Sequence, residues 1–302
     1  MSFPLLKSGD AVSVIAPAGP FDPASFKQGL AAIADLGLQP RFDPRISEGK
    51  RYLAGDDARR LAELNSAFRD PGTKAVFCAR GGYGSMRLLP RIDLSELPDK
   101  PLIGFSDITA LHLLWQREGR KSIHGPVVTQ LGKQPDNVQR ALGKLLFKGE
   151  PPKLTGATAI RSGTVRGTLV GGNLSVLTRL LGTPYLPELR GTILLLEDVG
   201  ERPYRLDRMF THLRLSGLLD GVAGIALGQL TGCEEQDADY TADDVVREIL
   251  SELPMPSAMG FPVGHAEPNL PLLLGSNYVL DADAGTLVPA DLPQRPRTSP
   301  GV

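Results

Sequence analysis

Through its first half the chain alternates short apolar runs of β type with amphipathic stretches of helical period. Ala11 to Ala16 reads as a strand, Pro23 to Leu36 as a helix stopped by Gly37, Gln39 to Phe42 as a strand and Asp56 to Phe68 as a helix. Lys74 to Ala79 and Pro101 to Phe105 are strands on either side of a short helix at Gly84 to Leu89. A helix over Ile108 to Arg117, a strand at Ser122 to His124 and a helix over Pro135 to Phe147 complete the half. Repeated βα units of this length predict an α/β fold built on a parallel sheet with helices on both faces.

The pattern then breaks. Between Lys148 and Gly163, Gly149, Pro151, Pro152 and Gly156 stand among small polar residues, so we read 149–163 as a linker between a domain at 1–148 and a second at 164–302. In the second, Thr164 to Val170, Thr192 to Leu196 and Val222 to Leu227 are strands, and Leu174 to Leu181, Tyr204 to Leu215 and Ala242 to Leu253 are helices. From Pro254 onward the pattern is one of short strands and turns. The polar, proline-rich tail Pro293 to Val302 has no periodicity and is expected to be poorly ordered.

In a parallel sheet, ligands bind outside the C-terminal ends of the strands. Three such ends carry notable residues: Pro17-Ala18-Gly19-Pro20, Arg80-Gly81-Gly82-Tyr83-Gly84, and Ser106. The apolar run before Ser106 passes at once into a helix. Such a corner exposes a hydroxyl while the first helical amides, that of Asp107 among them, lack internal partners. This suits a nucleophilic serine, although an ordinary helix N-cap reads the same way. The hydrolase elbow pattern G-x-S-x-G is half present, with Gly104 in place and Ile108 where the second glycine would stand. The glycine turn at 81–84 lets amides approach a ligand closely, as a phosphate nest, as one arm of an oxyanion hole, or simply as a turn. No Gly-Lys-Ser/Thr follows it, so it is not a P-loop, and the first βα turn lacks the dinucleotide fingerprint.

Composition narrows the classes. The 302 residues carry 33 basic and 34 acidic side chains, a formal net charge of -1 with no long run of one sign. Neither a nucleic-acid groove nor an anionic membrane surface is favoured, which leaves a neutral or small charged ligand. Cys78 lies in an apolar run and Cys233 in a polar loop, giving neither a disulfide framework nor metal-ligand spacing, so reduced structural thiols are expected. No signal-peptide pattern and no apolar run of membrane-spanning length occur, which predicts a cytoplasmic protein.

A nucleophilic serine needs a base, and the chain has four histidines. His112 and His212 sit within amphipathic helices and read as packing or surface residues. His265, on the glycine-flanked loop Gly264-His265, ranks first as a base, and His124 at a strand end ranks second. A base needs a carboxylate to fix its tautomer. Glu197 closes a buried strand and is aimed by it, while Asp198 points to the opposite face; a salt bridge from Glu197 to Arg202, Arg205 or Arg208 is the competing reading.

Together these segments resemble the LD-carboxypeptidase family, the serine peptidases that include the muropeptide-recycling enzyme and the microcin-immunity peptidases. The resemblance runs over nearly the whole chain: Ala16 to Pro20, Arg80 to Gly84, Gly104 to Asp107, Gly171-Gly172-Asn173-Leu174, Leu196-Glu197-Asp198, Tyr204 to Met209, and Gly264-His265. It implies a Rossmann-like N-terminal domain joined to a β-rich C-terminal domain, commonly as a homodimer. It makes Ser106 the nucleophile, His265 the general base and then acid, Glu197 the orienting carboxylate, and the amides of Asp107 and of the Gly81-Gly82 turn the oxyanion donors. The implied substrate is a cytoplasmic murein tetrapeptide, cleaved between the L-centre of meso-diaminopimelate and the terminal D-alanine, with no metal or organic cofactor. We nominate Arg80, Tyr83 and Arg205 for substrate binding, the arginines because an exopeptidase must grip a free carboxylate. An aminoacyl-nucleotide antibiotic is the alternative substrate; it calls for a stacking aromatic, and the one tryptophan, Trp115, reads as packed in a helix. A non-catalytic two-domain anion-binding protein is the alternative from another class.

Overall fold

A computed structural model describes residues 3–290; the tail from Pro293 lies outside the described residues. Strands β1 (Ala11–Ile15), β2 (Gln39–Arg41), β3 (Val76–Cys78), β4 (Leu102–Gly104) and β5 (Ser122–His124) form a parallel sheet in the order 2-1-3-4-5. This is a doubly wound, Rossmann-like arrangement whose strand order reverses between β1 and β3, and the crevice at that reversal is where such sheets bind ligands. All five residues of β1 are buried, as a strand covered on both faces requires. Helices cover it, each started by local chemistry: Asp22 caps Pro23–Asp35 through the Ser25 amide at 2.8 Å, and Asp56 caps Asp57–Arg69 through the Arg59 amide at 2.9 Å.

The second half supplies eight strands: β6 (Thr158–Arg161), β7 (Thr164–Asn173), β8 (Thr192–Val199), β9 (Gly224–Thr231), β10 (Ser257–Met259), β11 (Leu272–Leu274), β12 (Asn277–Asp281) and β13 (Thr286–Pro289). Seven of them form a mixed sheet of order 13-12-7-8-9-10-6, parallel from β7 to β10 and antiparallel at both margins. Two features cross the boundary read from composition. β6 lies inside the stretch 149–163 and pairs with β10. β11 leaves its own half and pairs antiparallel with β5, extending the first sheet to six strands.

The helix Thr109–Arg117 explains how the halves join. Every residue from Thr109 to Trp115 is buried, the mark of a helix enclosed on all sides rather than lying on a surface. Its leucines and Trp115 share one core with Phe68 and Leu102 of the first half and with Leu174, Leu194, Leu196 and Phe210 of the second. No described helix is long and apolar enough to cross a membrane. Cys78 and Cys233 are free and buried, and burial pushes both thiols up, Cys233 to about 11.

Candidate active site

β4 delivers Ser106 to the corner where the enclosed helix begins. Phe105 is fully extended, and Ser106 turns sharply at φ 64°, one of three described non-glycine residues in the left-handed region. Holding an L-residue there costs on the order of 1–2 kcal/mol, and strain of this kind collects at nucleophile corners. Gly104 permits the turn because the Ile108 side chain packs where a Cβ would be, 3.0 Å from both Cγ atoms. The missing second glycine of the elbow is thereby replaced by a packed isoleucine.

The other partners come from the second half. His265 Nε2 lies 3.0 Å from Ser106 Oγ, and His265 Nδ1 lies 2.7 Å from Glu197 Oε2. A carboxylate oxygen can only accept, so Nδ1 carries the proton and Nε2 offers its lone pair to the serine hydroxyl. Glu197, near the end of β8, is fully buried, whereas Ser106 and His265 are partly exposed. The salt-bridge reading of Glu197 does not hold. Arg202 instead faces Glu235 at 3.5 Å, Arg205 faces Glu201 at 3.3 Å, and Glu197 accepts from Asn173 Nδ2 at 3.3 Å.

Asn173, which ends β7, was missed as a functional candidate. Its amide nitrogen also reaches Asp198 Oδ1 at 3.0 Å, so one donor serves two adjacent buried carboxylates. Asp198 takes two more donors, the amides of Ser175 and Val199, each at 2.8 Å. Burial, with Glu197 beside it, raises the Asp198 carboxyl above the usual range. Gly172 lets β7 come this close: a Cβ there would sit 2.5 Å from Thr109 Oγ1, the hydroxyl that accepts the Asn173 amide at 2.9 Å.

The Gly81-Gly82 turn faces the same corner. A Cβ on Gly81 would lie 3.0 Å from Ser106 Oγ and 3.3 Å from the Asp107 nitrogen, so the turn and the helix start flank the hydroxyl as the two arms of an oxyanion hole would. The Asp107 carboxylate, buried and raised by that burial, fixes the turn by accepting the Ser85 amide at 2.8 Å. Gly81 O accepts the Gly19 amide at 3.0 Å, which ties the first and third strand ends together at the crevice. Arg60, fully buried, donates to the carbonyls of Pro17 and Gly84 and clamps both turns from beneath. It too was missed. A charged residue stood on the apolar stripe of Leu64, Ala67 and Phe68, and that was the available signal.

The nominated substrate-binding residues divide. Arg80 donates to the Pro20 carbonyl at the rim, and exposed Tyr83 stands 5.9 Å from the Tyr52 ring. Arg205 lines a cavity whose walls include neither Ser106 nor His265. His124, the second-ranked base, is fully buried 5.8 Å from the Phe105 ring, with neither nitrogen hydrogen-bonded among the described residues and its pKa held well below the usual histidine value by burial. His112 bonds Ser122 and the Gly104 carbonyl, each at 2.8 Å, and is a packing residue.

The sequence profile of the LD-carboxypeptidase N-terminal domain matches residues 12–125, and that of the C-terminal domain matches 166–280. The chain belongs to the LD-carboxypeptidase family. A relative from Pseudomonas aeruginosa named murein tetrapeptide carboxypeptidase is 34% identical over 289 residues, covering 90% of this chain and 93% of its own. The solved muramoyltetrapeptide carboxypeptidase of Oxalobacter formigenes is 27% identical with a TM-score of 0.82, over 92% of this chain and 97% of that one. The microcin C7 self-immunity protein MccF, solved with aspartyl sulfamoyl adenosine, shares the fold at a TM-score of 0.86 and 24% identity, over 96% and 99% of the two chains. This LD-carboxypeptidase family member is a hydrolase acting on peptide bonds.

Proposed function

We propose that the chain is a serine-type LD-carboxypeptidase that removes the terminal D-alanine from murein tetrapeptide. The observation that carries the reading is the unbroken hydrogen-bond chain from Ser106 Oγ through both nitrogens of His265 to Glu197. In this mechanism Ser106 Oγ attacks the carbonyl carbon at the L-centre of diaminopimelate and passes its proton to His265 Nε2. The amides of Asp107 and the Gly81-Gly82 turn hold the oxyanion. His265 then gives that proton to the departing amine of D-alanine. Water, deprotonated by His265, attacks the acyl-serine, releases the tripeptide carboxylate and restores Ser106. Glu197 keeps Nδ1 protonated and stabilises the imidazolium.

The nucleophile comes from the domain at 1–148 and its partners from that at 164–302, so the reading sets the chemistry between them. A homodimer acting in cytoplasmic muropeptide recycling completes the proposal, on the strength of the family. The aminoacyl-nucleotide alternative gains nothing from tryptophan stacking, since Trp115 is fully buried with its ring 5.3 Å from Phe68.

The test is mass-spectrometric detection of D-alanine released from L-Ala-γ-D-Glu-meso-diaminopimelyl-D-Ala by wild type and folded Ser106→Ala. Wild type is expected to release it, and the variant to lose about four to six orders of magnitude in kcat. Release that survives the substitution removes Ser106 from its role. No release from either protein turns the reading toward the antibiotic conjugate or a passive binder.

A further inference from the structure

The two arms of the oxyanion hole lie on separate pieces of chain, the Asp107 amide at the start of a helix and the amides of the Gly81-Gly82 turn. The second arm is the softer. Gly82 and Gly84 stand at φ 101° and 135°, and among the described residues no backbone hydrogen bond closes the stretch 80–84 on itself. Glycine gives such a turn freedom without preference, so contacts from outside must fix where its amides point.

Those contacts converge on one peptide unit. The Gly84 carbonyl accepts from Arg60 Nη1 at 3.0 Å, and the amide of the next residue, Ser85, donates to Asp107 Oδ2 at 2.8 Å. The Gly84–Ser85 peptide is thus gripped at both poles, by a fully buried guanidinium and by a buried carboxylate. Gly84 allows the grip, since a Cβ there would stand 2.7 Å from Arg60 Nη1. Asp107 has a part in both arms: its own amide forms one, and its side chain holds the end of the other. The two charges also act on each other, Arg60 opposing the rise that burial imposes on the Asp107 carboxyl.

Arg60 is itself held fast. Its Nη2 donates to Asp57 Oδ1 at 2.6 Å, and Arg87 Nη2 donates to the other Asp57 oxygen at 2.7 Å. Arg60 Nη1 also donates to the carbonyl of Pro17, two residues before Gly19, whose amide binds the Gly81 carbonyl at 3.0 Å. The stretch 81–84 is therefore held at its first residue through Gly19 and at its last through Arg60, and one guanidinium stands behind both fastenings. A planar fork of donors spans these partners; the single ammonium of a lysine does not.

We propose that Arg60 and the Asp107 carboxylate are positioning residues of the oxyanion hole, setting the separation of its two arms through the Gly84–Ser85 peptide. The inference rests on the serine-carboxypeptidase reading and deepens it. Both side chains act through backbone amides, at the point where negative charge develops. Their influence therefore belongs to the transition state and not to ground-state binding.

The experiment compares wild type, Arg60→Lys, Asp107→Ala and Asp107→Asn, with rates taken per folded enzyme below the melting range of each. Arg60→Lys and Asp107→Ala are each expected to lower kcat for D-alanine release by about tenfold to a hundredfold, part of the cost of a lost oxyanion donor, with KM little changed. Asp107→Asn, which keeps an acceptor for the Ser85 amide, is expected to recover most of the Asp107→Ala loss. A tripeptide with boronic acid in place of the L-centre carboxyl forms a tetrahedral adduct with Ser106. Its affinity should fall in step with kcat, while that of the tripeptide product stays. In Gly81→Ala, whose arm is already displaced, adding Arg60→Lys should cost less than about threefold more. Unchanged kcat, a loss carried by KM, equal losses of boronate and product affinity, Asp107→Asn no better than Asp107→Ala, or full multiplication of the Arg60→Lys and Gly81→Ala losses each overturns the positioning role and leaves the carboxypeptidase reading intact. Wild type that releases no D-alanine overturns both.

Discussion

Replacing Gly81 by alanine puts a single methyl group into the space the reaction needs. Gly81 is not among the glycines with left-handed φ, so its backbone accepts an alanine without conformational strain. The obstacle is spatial: the new Cβ would stand 2.9 Å from Ser106 Cβ, 3.0 Å from Ser106 Oγ and 3.3 Å from the Asp107 nitrogen. Contacts under 3.0 Å force a shift, and neither neighbour is the free end of a flexible side chain. Ser106 is fixed at φ 64° by the turn into an enclosed helix, and the Asp107 nitrogen is backbone. The Gly81 turn must therefore move away from the corner, which withdraws one oxyanion arm, or the methyl must occupy the place of the substrate oxygen.

Either outcome removes stabilisation that exists chiefly in the transition state. Loss of one oxyanion donor costs about 10²–10³ in kcat, and the crowding costs folding about 1–3 kcal/mol. Steady-state D-alanine release should show a kcat lower by that factor with KM changed much less, while thermal melting shows a modest drop. If Gly81→Ala keeps kcat within about threefold of wild type, against the 10²–10³ expected, the turn is not an oxyanion arm and the reasoning fails.

Two further predictions concern stability. Ser106→Gly should abolish peptide cleavage yet melt above wild type, because glycine holds φ 64° without the left-handed penalty of about 1 kcal/mol; a lower melting temperature would mean that the Ser106–His265 hydrogen bond outweighs the strain. Glu63, whose carboxylate accepts the Ala16 amide at 3.3 Å beside Arg59, has its pKa raised by burial to about 7 from an ordinary 4.5. The folded protein then binds more protons than the unfolded chain between those values, so this group's stabilisation is full at low pH and declines as pH rises toward 7. Glu63→Gln should remove that decline and gain up to about 3 kcal/mol over wild type at pH 8, read from melting curves across pH 5 to 8. An unchanged difference between the two proteins across that range would show that Glu63 does not titrate there. His112, lowered by burial to about 4, produces a slope of opposite sign below pH 6.5 and is common to both proteins.

The fold was largely legible because each element before Lys148 is specified by its own neighbours: apolar runs stopped by glycine, and helices opened by Asp22 and Asp56. Ser106 was legible as a corner, and His265 as a displayed loop histidine. Glu197 was harder, because Arg202, Arg205 and Arg208 offer ion pairs at plausible spacing; only the structure turns those side chains to other partners. Asn173 and Arg60 were missed for a shared reason. Their roles lie in distant backbone and carboxylate groups, and pattern along the chain carries no information about which groups those are. The same holds for β11: Leu272–Leu274 is plainly apolar, but three residues cannot specify the sheet they join.

That strand determines how a site split between two sheets keeps its geometry. The loop bearing His265 leaves β10 in the second sheet and ends in β11 of the first, where Leu272 pairs with His124 beside the strand that carries Ser106. On the way it is fastened to both sides. Gln229 of β9 accepts the Ala266 amide at 3.0 Å and donates to the Pro268 carbonyl at 3.2 Å. Asn269 accepts the Gly264 amide at 3.1 Å, and reaches into the first half through Gln130 at 3.0 Å and Gln134 at 2.8 Å. Swinging the halves apart by more than a hydrogen-bond length would break either the β5–β11 ladder with the Gln130 and Gln134 bonds or, if the loop stayed with the first half, the two Gln229 bonds, each costing about 1–3 kcal/mol when left unmade. The Ser106–His265 distance of 3.0 Å is therefore built into the resting fold. Whatever opening the substrate requires must come from the exposed rim around Gly82 and Tyr83, and not from separation of the two sheets.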